Sequence, residues 1–369
     1  MAKARIVVIG SGIAGLSTAA AASENFEITV VEAEIQGGYH SSGRSATIFQ
    51  KNFETGLISR MSVISENFFL NPANGYEQVA APLHRLLVAN SEEKHLLDAY
   101  LTRWSDSLPW LRVISNQEIA ERFPILNNDY AHAILDDDCL NLDIHNLLDG
   151  HRRKIRTNGG VVLNNYRLTD IQMQGREWQL RFANGELLTA DIVVNAAGAW
   201  ADQIAELAGV QKIGIQPKRR TALLIDPNQD SRNWSTIYKL TNDLYIKPEG
   251  SLLMVSPMDE HDSPPTDAQP EMMDVAITVE RFEELTTMSV ERPTRTWAGL
   301  RSFVSDRNPV IGYGNPERNF FWVAAFGGSG ILTSPCYSEV AAKLLQDRTV
   351  PEHWNIDLHE LSPERLQND

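Results

Sequence analysis

Residues Arg5 to Gly15 read RIVVIGSGIAG, and Glu32 completes the unit that begins there. The run Arg5–Ile9 is short, apolar and β-branched, the composition of a strand buried in a parallel sheet. Gly10, Gly12 and Gly15 follow with G-x-G-x-x-G spacing, and an Ala-rich stretch from Leu16 to Ala22 reads as a helix. A second apolar run, Ile28–Val31, ends in Glu32. Each part has a physical task. Gly10 makes the tight turn, Gly12 lets backbone approach a pyrophosphate, and Gly15 lets the helix pack close to the strand. The helix start offers free N–H groups and a positive dipole end to phosphates. Glu32 stands where an acid accepts hydrogen bonds from a ribose hydroxyl. Between a strand and a helix, with the acid in place, the glycine pattern specifies a dinucleotide. A secretory leader is the competing reading of Lys3, Arg5 and the apolar run. The small, turn-prone residues of Gly10–Gly15 and the charged Glu24 interrupt it.

The chain has 369 residues, 43% of them hydrophobic, enough for two domains or one large domain with an insertion. Lys plus Arg number 33 against 48 Asp plus Glu, a formal charge of -15. That balance argues against a nucleic-acid or anionic-membrane surface, which needs a basic footprint. The two cysteines, Cys139 and Cys336, belong to no CxxC and to no His cluster, so idle thiols are expected rather than a disulfide or a metal site. No apolar run is long enough for a spanning helix. The expectation is a soluble protein of a reducing compartment, the cytoplasm.

Beyond Glu32, the stretch Gly37–Ala46 (GGYHSSGRSA) is a loop rich in backbone donors, placed to lie along the rest of a long cofactor. Helices are expected over Gly56–Phe69, Glu92–Trp104 and Asp143–Thr157, with a capping box at Ser115 and Glu118. Ala80–Ala89 reads as a strand containing His84 and Arg85, and Leu135–Asp138 as an acidic turn. Strands at Leu168–Met173, Trp178–Phe182 and Leu187–Thr189, with Asn184-Gly185 as a hairpin turn, form a meander that leads into Asp191–Asn195 and the small residues Ala196–Ala199. Lys218-Arg219-Arg220 is a basic patch in strand-like sequence. Met258–Pro270 reads as an acidic, Pro-rich lid or linker. Phe320–Ala325, then Gly327-Gly328-Ser329-Gly330 and a helix from about Thr333 to Gln346, repeat the strand, glycine turn and helix arrangement. The tail beyond Pro351 is expected to be loosely held.

The stretches VIGSGIAG, GYHSSGRSA, VNAAGAWAD, QPKRR, WAGLRSF and FFWVAAFGGSGI resemble, over nearly the whole chain, the FAD-dependent D-amino acid oxidase superfamily. Within it the sequence looks most like the bacterial D-arginine dehydrogenases. The resemblance implies an α/β, two-domain flavoprotein: a Rossmann-like FAD-binding domain with a β-meander (1–70, 141–213 and 296–369) and a mixed-sheet substrate-binding domain (71–140 and 214–295). It implies non-covalent FAD held by Gly10, Gly12, Ile13, Ala14, Gly15, Glu32, Ala33, Ala197 and Gly198, with Leu168 touching the adenine end through its backbone. Gly43, Arg44, Ser45 and Ala46 would border the isoalloxazine ring. Gly328, Ser329, Gly330, Ile331, Leu332 and Thr333 would turn N–H groups and a helix dipole toward flavin N1 and O2.

The resemblance also places a substrate carboxylate on Arg301, Arg220 and Tyr245, with the Gly328 carbonyl accepting from the substrate amine. The implied reaction is oxidation of an amino acid, D-configured, at Cα. Hydride passes to flavin N5, and the imine hydrolyses to a 2-oxo acid. Three positions depart from the D-arginine pattern. Arg85 stands where a glutamate would receive the substrate guanidinium, and Ile48 and Phe53 replace a histidine and a tyrosine. A cationic side chain is therefore unexpected. If Arg85 points inward, an acidic side chain fits; if it turns outward to a residue such as Glu77, the pocket is mainly apolar. A 2-hydroxy acid or N-methyl amino acid dehydrogenase is an alternative on the same fold, as is a flavin-binding subunit of a larger assembly. The partner classes implied are a small amino acid and an unidentified electron acceptor.

Overall fold

The computed structural model describes residues 3–53, 55–241, 243–315 and 319–366. Arg5–Ile9 is a strand, and it lies at the centre of a six-stranded sheet. Across that sheet the order is Val310–Asn315, Phe320–Ala324, Ile192–Asn195, Arg5–Ile9, Glu27–Val31 and Val161–Leu163. All neighbours run parallel except the first two, which are antiparallel. The helices Ile13–Ala22 and Ser334–Leu345 pack on one face with Ile144–Thr157, around Leu16, Val30, Val194 and Tyr337. On the other face lies the antiparallel meander of Leu168–Gln174, Glu177–Phe182 and Leu187–Ala190, with Trp178 and Trp322 in the core between. Trp178 and Leu180 alternate with exposed or half-buried neighbours, the pattern of a sheet wetted on one side.

The glycines act where the backbone crosses itself. Gly10 has φ +104°, and a Cβ there would lie 2.5 Å from the Ala196 carbonyl oxygen. A Cβ on Gly15 would lie 1.9 Å from the Gly10 carbonyl oxygen, so the helix can sit this close only without a side chain at that point.

A second, mixed sheet has ten strands among the described residues. Its path runs His261–Asp262, Gln216–Ile225, Leu252–Ser256, Tyr245–Glu249, Thr236–Lys239, Ala80–Ala89, His132–Leu142 and Ile48–Phe49, with Arg295–Phe303 pairing Gln216–Ile225 and Arg112–Ile114 pairing His132–Leu142. Ala80–Ala89 and Thr236–Lys239 run parallel; the other pairings are antiparallel. Residues 48–49, 141–142 and 296–303 therefore belong to this sheet, although the sequence division put them with the cofactor unit. Their backbone pairing crosses that division.

Three further expectations change. The acidic run Asp136–Asp138 is not a turn but the middle of the strand His132–Leu142. Its carboxylates are met by neighbours: Asp136 by the Arg85 guanidinium and Asp137 by the His84 ring on the adjacent strand, and Asp138 by Lys51. Opposite-charge pairs across strands stabilise the ladder that three successive aspartates would otherwise oppose. The stretch 258–270 is fastened rather than free. Arg44 donates to Asp267 at 2.5 Å and to the Ala268 carbonyl at 3.0 Å, and Lys218 pairs with Asp262. The tail is held too: Leu361 is fully buried, its carbonyl accepts from the Ile311 N–H, and Arg365 pairs with Asp306. No described helix is long and apolar enough to cross a membrane.

Two outcomes follow from this packing. Gly15→Ala should cost about 1–3 kcal/mol by overpacking, read as a lowered denaturation midpoint. His151 is buried beside Tyr76, whose hydroxyl lies 2.7 Å from Nδ1. Burial, then Lys154 and Arg152, hold its pKa down to about 3. The unfolded chain binds this proton and the fold does not. Stability should therefore fall as pH drops below about 6.5 and cease falling from this group below about 3. In denaturation series against pH, His151→Gln should flatten that slope.

Candidate active site

Two cavities open where the sheets meet. The first is an elongated groove along the carboxyl ends of the parallel strands. Its walls include Gly10, Gly12, Ile13, Ala14, Glu32 and Ala33 at one end, with Leu168, Ala197 and Gly198 beside them. At the other end stand Arg44, Ser45, Ala46, Gly328, Gly330 and Ile331. The Glu32 carboxylate accepts from the Ser11 N–H at 2.8 Å and the Ser11 hydroxyl at 2.9 Å, which fixes its direction at the groove. Ser42 Oγ accepts from the Ile13 N–H, whereas the N–H groups of Gly12 and Ala14 have no partner among the described residues.

At the far end, the N–H groups of Gly330, Ile331 and Leu332 are likewise without partners among the described residues, just before the helix Ser334–Leu345. Two sets of unpaired backbone donors, one at each end, fit a long ligand with a phosphate at one end and an electron-rich group at the other. The residues present therefore suit FAD.

Some expected contacts fall elsewhere. Gly15 and Gly43 do not line the groove; each packs against a carbonyl, Gly43 against that of Gly38. Thr333 is buried off it, with its N–H and its hydroxyl both directed to the Ser329 carbonyl. Arg44 lines the groove, but its guanidinium is committed to Tyr39, Asp267, Ala268 and Ala298. Ser329 and Leu332 face the second cavity rather than the first.

That second cavity, about 860 Å³, is lined by Ile48, Gln50, Asn52, Phe53, Arg85, Leu87, Tyr100, Tyr238 and Leu240. It shares Ser45, Ala46, Arg220, Tyr245, Arg301 and Gly328 with the groove, so those residues mark the junction. Arg220 lies opposite Gly299 on the paired antiparallel strand, which puts Arg301 diagonally across on the same face. Gly299 leaves room for Arg44, whose Cβ lies 3.4 Å from where its own Cβ would be. A Cβ on Gly328 would lie 3.0 Å from Arg301 Cζ, so the missing side chain leaves space for the guanidinium.

The junction is electropositive and incompletely satisfied. The Arg301 side chain makes no hydrogen bond or ion pair among the described residues. Arg220 donates through Nε to the Asp259 carbonyl at 2.7 Å and through Nη2 to Glu260 at 3.2 Å; its buried Nη1 has no partner. Burial, and then Arg301, bring the Arg220 pKa down to about 10, although Asp259 and Glu260 act in the opposite direction. Tyr245 is buried and stacked on Tyr238 with centroids 5.4 Å apart, and its hydroxyl has no partner among the described residues. Thr47, Met258, Arg307 and Ala325, all non-glycine residues at positive φ, border the two cavities.

Arg85 points inward and is 2% exposed. Strand alternation turns it to the cavity with Leu83 and Leu87 while His84 goes outward to Asp137, and a register shift in the partner strand brings Asp136 directly opposite it. Its partner is Asp136 at 2.6 Å, with Asn52 at 3.0 Å, Tyr100 at 3.2 Å and Gln50 also accepting. Glu77 pairs instead with Arg153. Burial alone would raise the Asp136 carboxyl; Arg85 and Trp110 hold it below its ordinary range. Asp136, Glu260, Tyr238 and the Gln50–Asn52 pair were not singled out from the sequence. Nothing local marks them, since each acquires its place through partners distant in the chain.

The chain matches the FAD dependent oxidoreductase (DAO) family over residues 5–344. The hydrogen cyanide synthase subunit HcnC of Pseudomonas aeruginosa is 24% identical over 272 residues, which is 72% of this chain and 64% of that one. Glycine oxidase of Bacillus subtilis is 22% identical over 372 residues, 94% of each chain. Among solved structures, L-proline dehydrogenase from P. horikoshii superposes with a TM-score of 0.82 at 22% identity, over 99% of this chain and 98% of that one. The groove, its two sets of unpaired donors and the span of the family match lead to one conclusion: the chain belongs to the DAO family of FAD-dependent oxidoreductases, with FAD as its cofactor.

Proposed function

We propose that the protein oxidises an α-amino acid at Cα and takes substrates whose side chains carry no positive charge. One observation carries the reading: two arginines at the junction of the cavities, one with no partner among the described residues and one with a buried, unpartnered Nη1. A half-buried guanidinium with no partner beside a second one with a buried free Nη1 favours binding an anion, and a carboxylate matches the fork geometry. Arg301 would take the carboxylate bidentately, Arg220 would add Nη1, and the Tyr245 hydroxyl would donate a third bond. The Gly328 carbonyl, which accepts nothing among the described residues, would receive a hydrogen from the substrate amine. FAD, when bound, supplies the acceptor for the two electrons of the Cα–H bond, and the resulting imine hydrolyses to a 2-oxo acid. The protein's own part is orientation. Four contacts around Cα fix which hydrogen faces the groove, and the aromatic walls exclude water.

The side chain would enter the cavity of Ile48, Phe53, Leu87, Tyr100, Tyr238 and Leu240. Glu260 is the acid in its lining, and it is paired with Arg307 at 3.1 Å and with Arg220. Asp136 is committed to Arg85. A guanidinium or ammonium would therefore find no free carboxylate among the described lining residues, which argues against D-arginine despite the sequence likeness. A 2-hydroxy acid is the second reading, because the Gly328 carbonyl accepts an O–H as readily as an N–H. The division into cofactor and substrate units is proposed with 48–49, 141–142 and 296–303 assigned to the substrate side.

Anaerobic bleaching of the flavin band with D- and L-amino acids and 2-hydroxy acids tests this directly. Neutral amino acids should bleach it, and the panel decides the enantiomer. Fast bleaching by arginine or lysine would sink the charge argument, and bleaching by hydroxy acids alone would favour the second reading. Arg301→Ala should lower kcat/KM by at least about a hundredfold through loss of a charge-assisted pair. Glu32→Ala should weaken FAD binding by about tenfold or more, read by fluorescence titration of the apoprotein.

A further inference from the structure

We propose that Asp136 is a specificity-determining residue: it cancels, from behind the wall, a charge on Arg85 that would otherwise receive a second carboxylate from the substrate. The inference rests on the reading of Arg301, Arg220 and Tyr245 as the seat of the α-carboxylate. Arg85 lines the side-chain cavity, and so do Gln50, Asn52 and Tyr100, the neutral groups that share its guanidinium. Asp136 is absent from that lining and 3% exposed. It lies directly across the strand pairing from Arg85. One of its oxygens takes Arg85 at 2.6 Å; the other takes Trp110 Nε1 at 2.9 Å and the Asp138 N–H at 3.3 Å. The cation is thus at the surface of the cavity and its counter-charge one layer deeper.

The rest of the cluster is built like an anion receptor. Arg85 Nε is buried without a partner. Gln50 and Asn52 present oxygens to the guanidinium, and each amide can turn to present N–H groups to a carboxylate. Tyr238 lies beneath, with Arg85 Cζ 5.3 Å from its ring centroid. What neutralises Arg85 at this wall is one buried carboxylate held in place by an indole and a backbone N–H. Each half of the pair masks the other, so removing either one leaves a charge of opposite sign facing the substrate.

The test uses the FAD-loaded full chain and reads ligand binding by calorimetry and by perturbation of the flavin spectrum. The ligands are butyrate, glutarate and 5-aminovalerate, alike in backbone and differing in the far end. Wild type should bind butyrate and show no preference for glutarate. In Asp136→Asn the affinity ratio of glutarate to butyrate should rise at least about tenfold, as for an uncompensated buried charge. Arg85→Leu should instead raise the ratio of 5-aminovalerate to butyrate. The neutral double variant, Asp136→Asn with Arg85→Gln, should return both ratios to the wild-type values. If Asp136→Asn does not fold, the comparison of Arg85→Leu with the double variant decides, and equal ratios in those two overturn the proposal. An unchanged glutarate ratio in a folded Asp136→Asn protein that still binds butyrate overturns it too. Failure of wild type to bind butyrate at all would overturn the carboxylate seat itself, and the role of Asp136 with it.

Discussion

Everything in the cofactor groove depends on three backbones meeting without side chains between them. The Gly10 Cα rests against the Ala196 carbonyl, and Gly15 rests against the carbonyl of Gly10. This contact brings the start of the helix Ile13–Ala22 down onto the ends of the central strands. The unpaired N–H groups of Gly12 and Ala14 thereby face the groove rather than solvent. A methyl group at either glycine would separate helix from strand, and the groove floor would lose its shape before any ligand contact was affected.

The junction of the cavities is ordered by charge. The chain carries a formal -15, yet Arg220 and Arg301 stand on one face of a strand pair with little to neutralise them. The segment 258–270 moderates this. Asp259 holds Arg220 through its carbonyl and Thr221 through its carboxylate, and Glu260 is shared between Arg220 and Arg307. The same segment reaches the cofactor loop through Asp267 and Ala268, which accept from Arg44. Lys247, almost fully buried, supports that loop from below by donating to the Ala46 carbonyl at 3.0 Å.

Much of this was legible in the sequence because it is written locally. The glycine spacing, the strand Ala80–Ala89, the Ser115 cap on Glu118 and the hairpin at Asn184-Gly185 each depend on residues a few positions apart. What was not legible depends on partners far along the chain. Leu135–Asp138 reads as a turn because three acids in a row are costly in a strand. The strand forms because His84, Arg85 and Lys51 are there to meet them. Arg85 was open between two orientations for the same reason: it is held inward by an aspartate that a register shift in the partner strand brings opposite it, a nearness only the sheet reveals. The donors of Thr333 are used locally on Ser329, which the motif does not show.

The order of strands in the central sheet bears on how the chain is made. Arg5–Ile9 is synthesised well before its neighbour Ile192–Asn195, and that strand's other neighbour is Phe320–Ala324. The Arg5 N–H bonds to Asp191 across 186 positions. A growing polypeptide emerging from the ribosome can pair Arg5–Ile9 with Glu27–Val31 early, but one edge of that hairpin-free pair stays open until more than half the chain has followed. Closure over such separations is entropically slow, and an open edge invites association with other chains. The nucleotide groove is thus a late product of folding, and a nascent N-terminal unit would be the form most dependent on a chaperone.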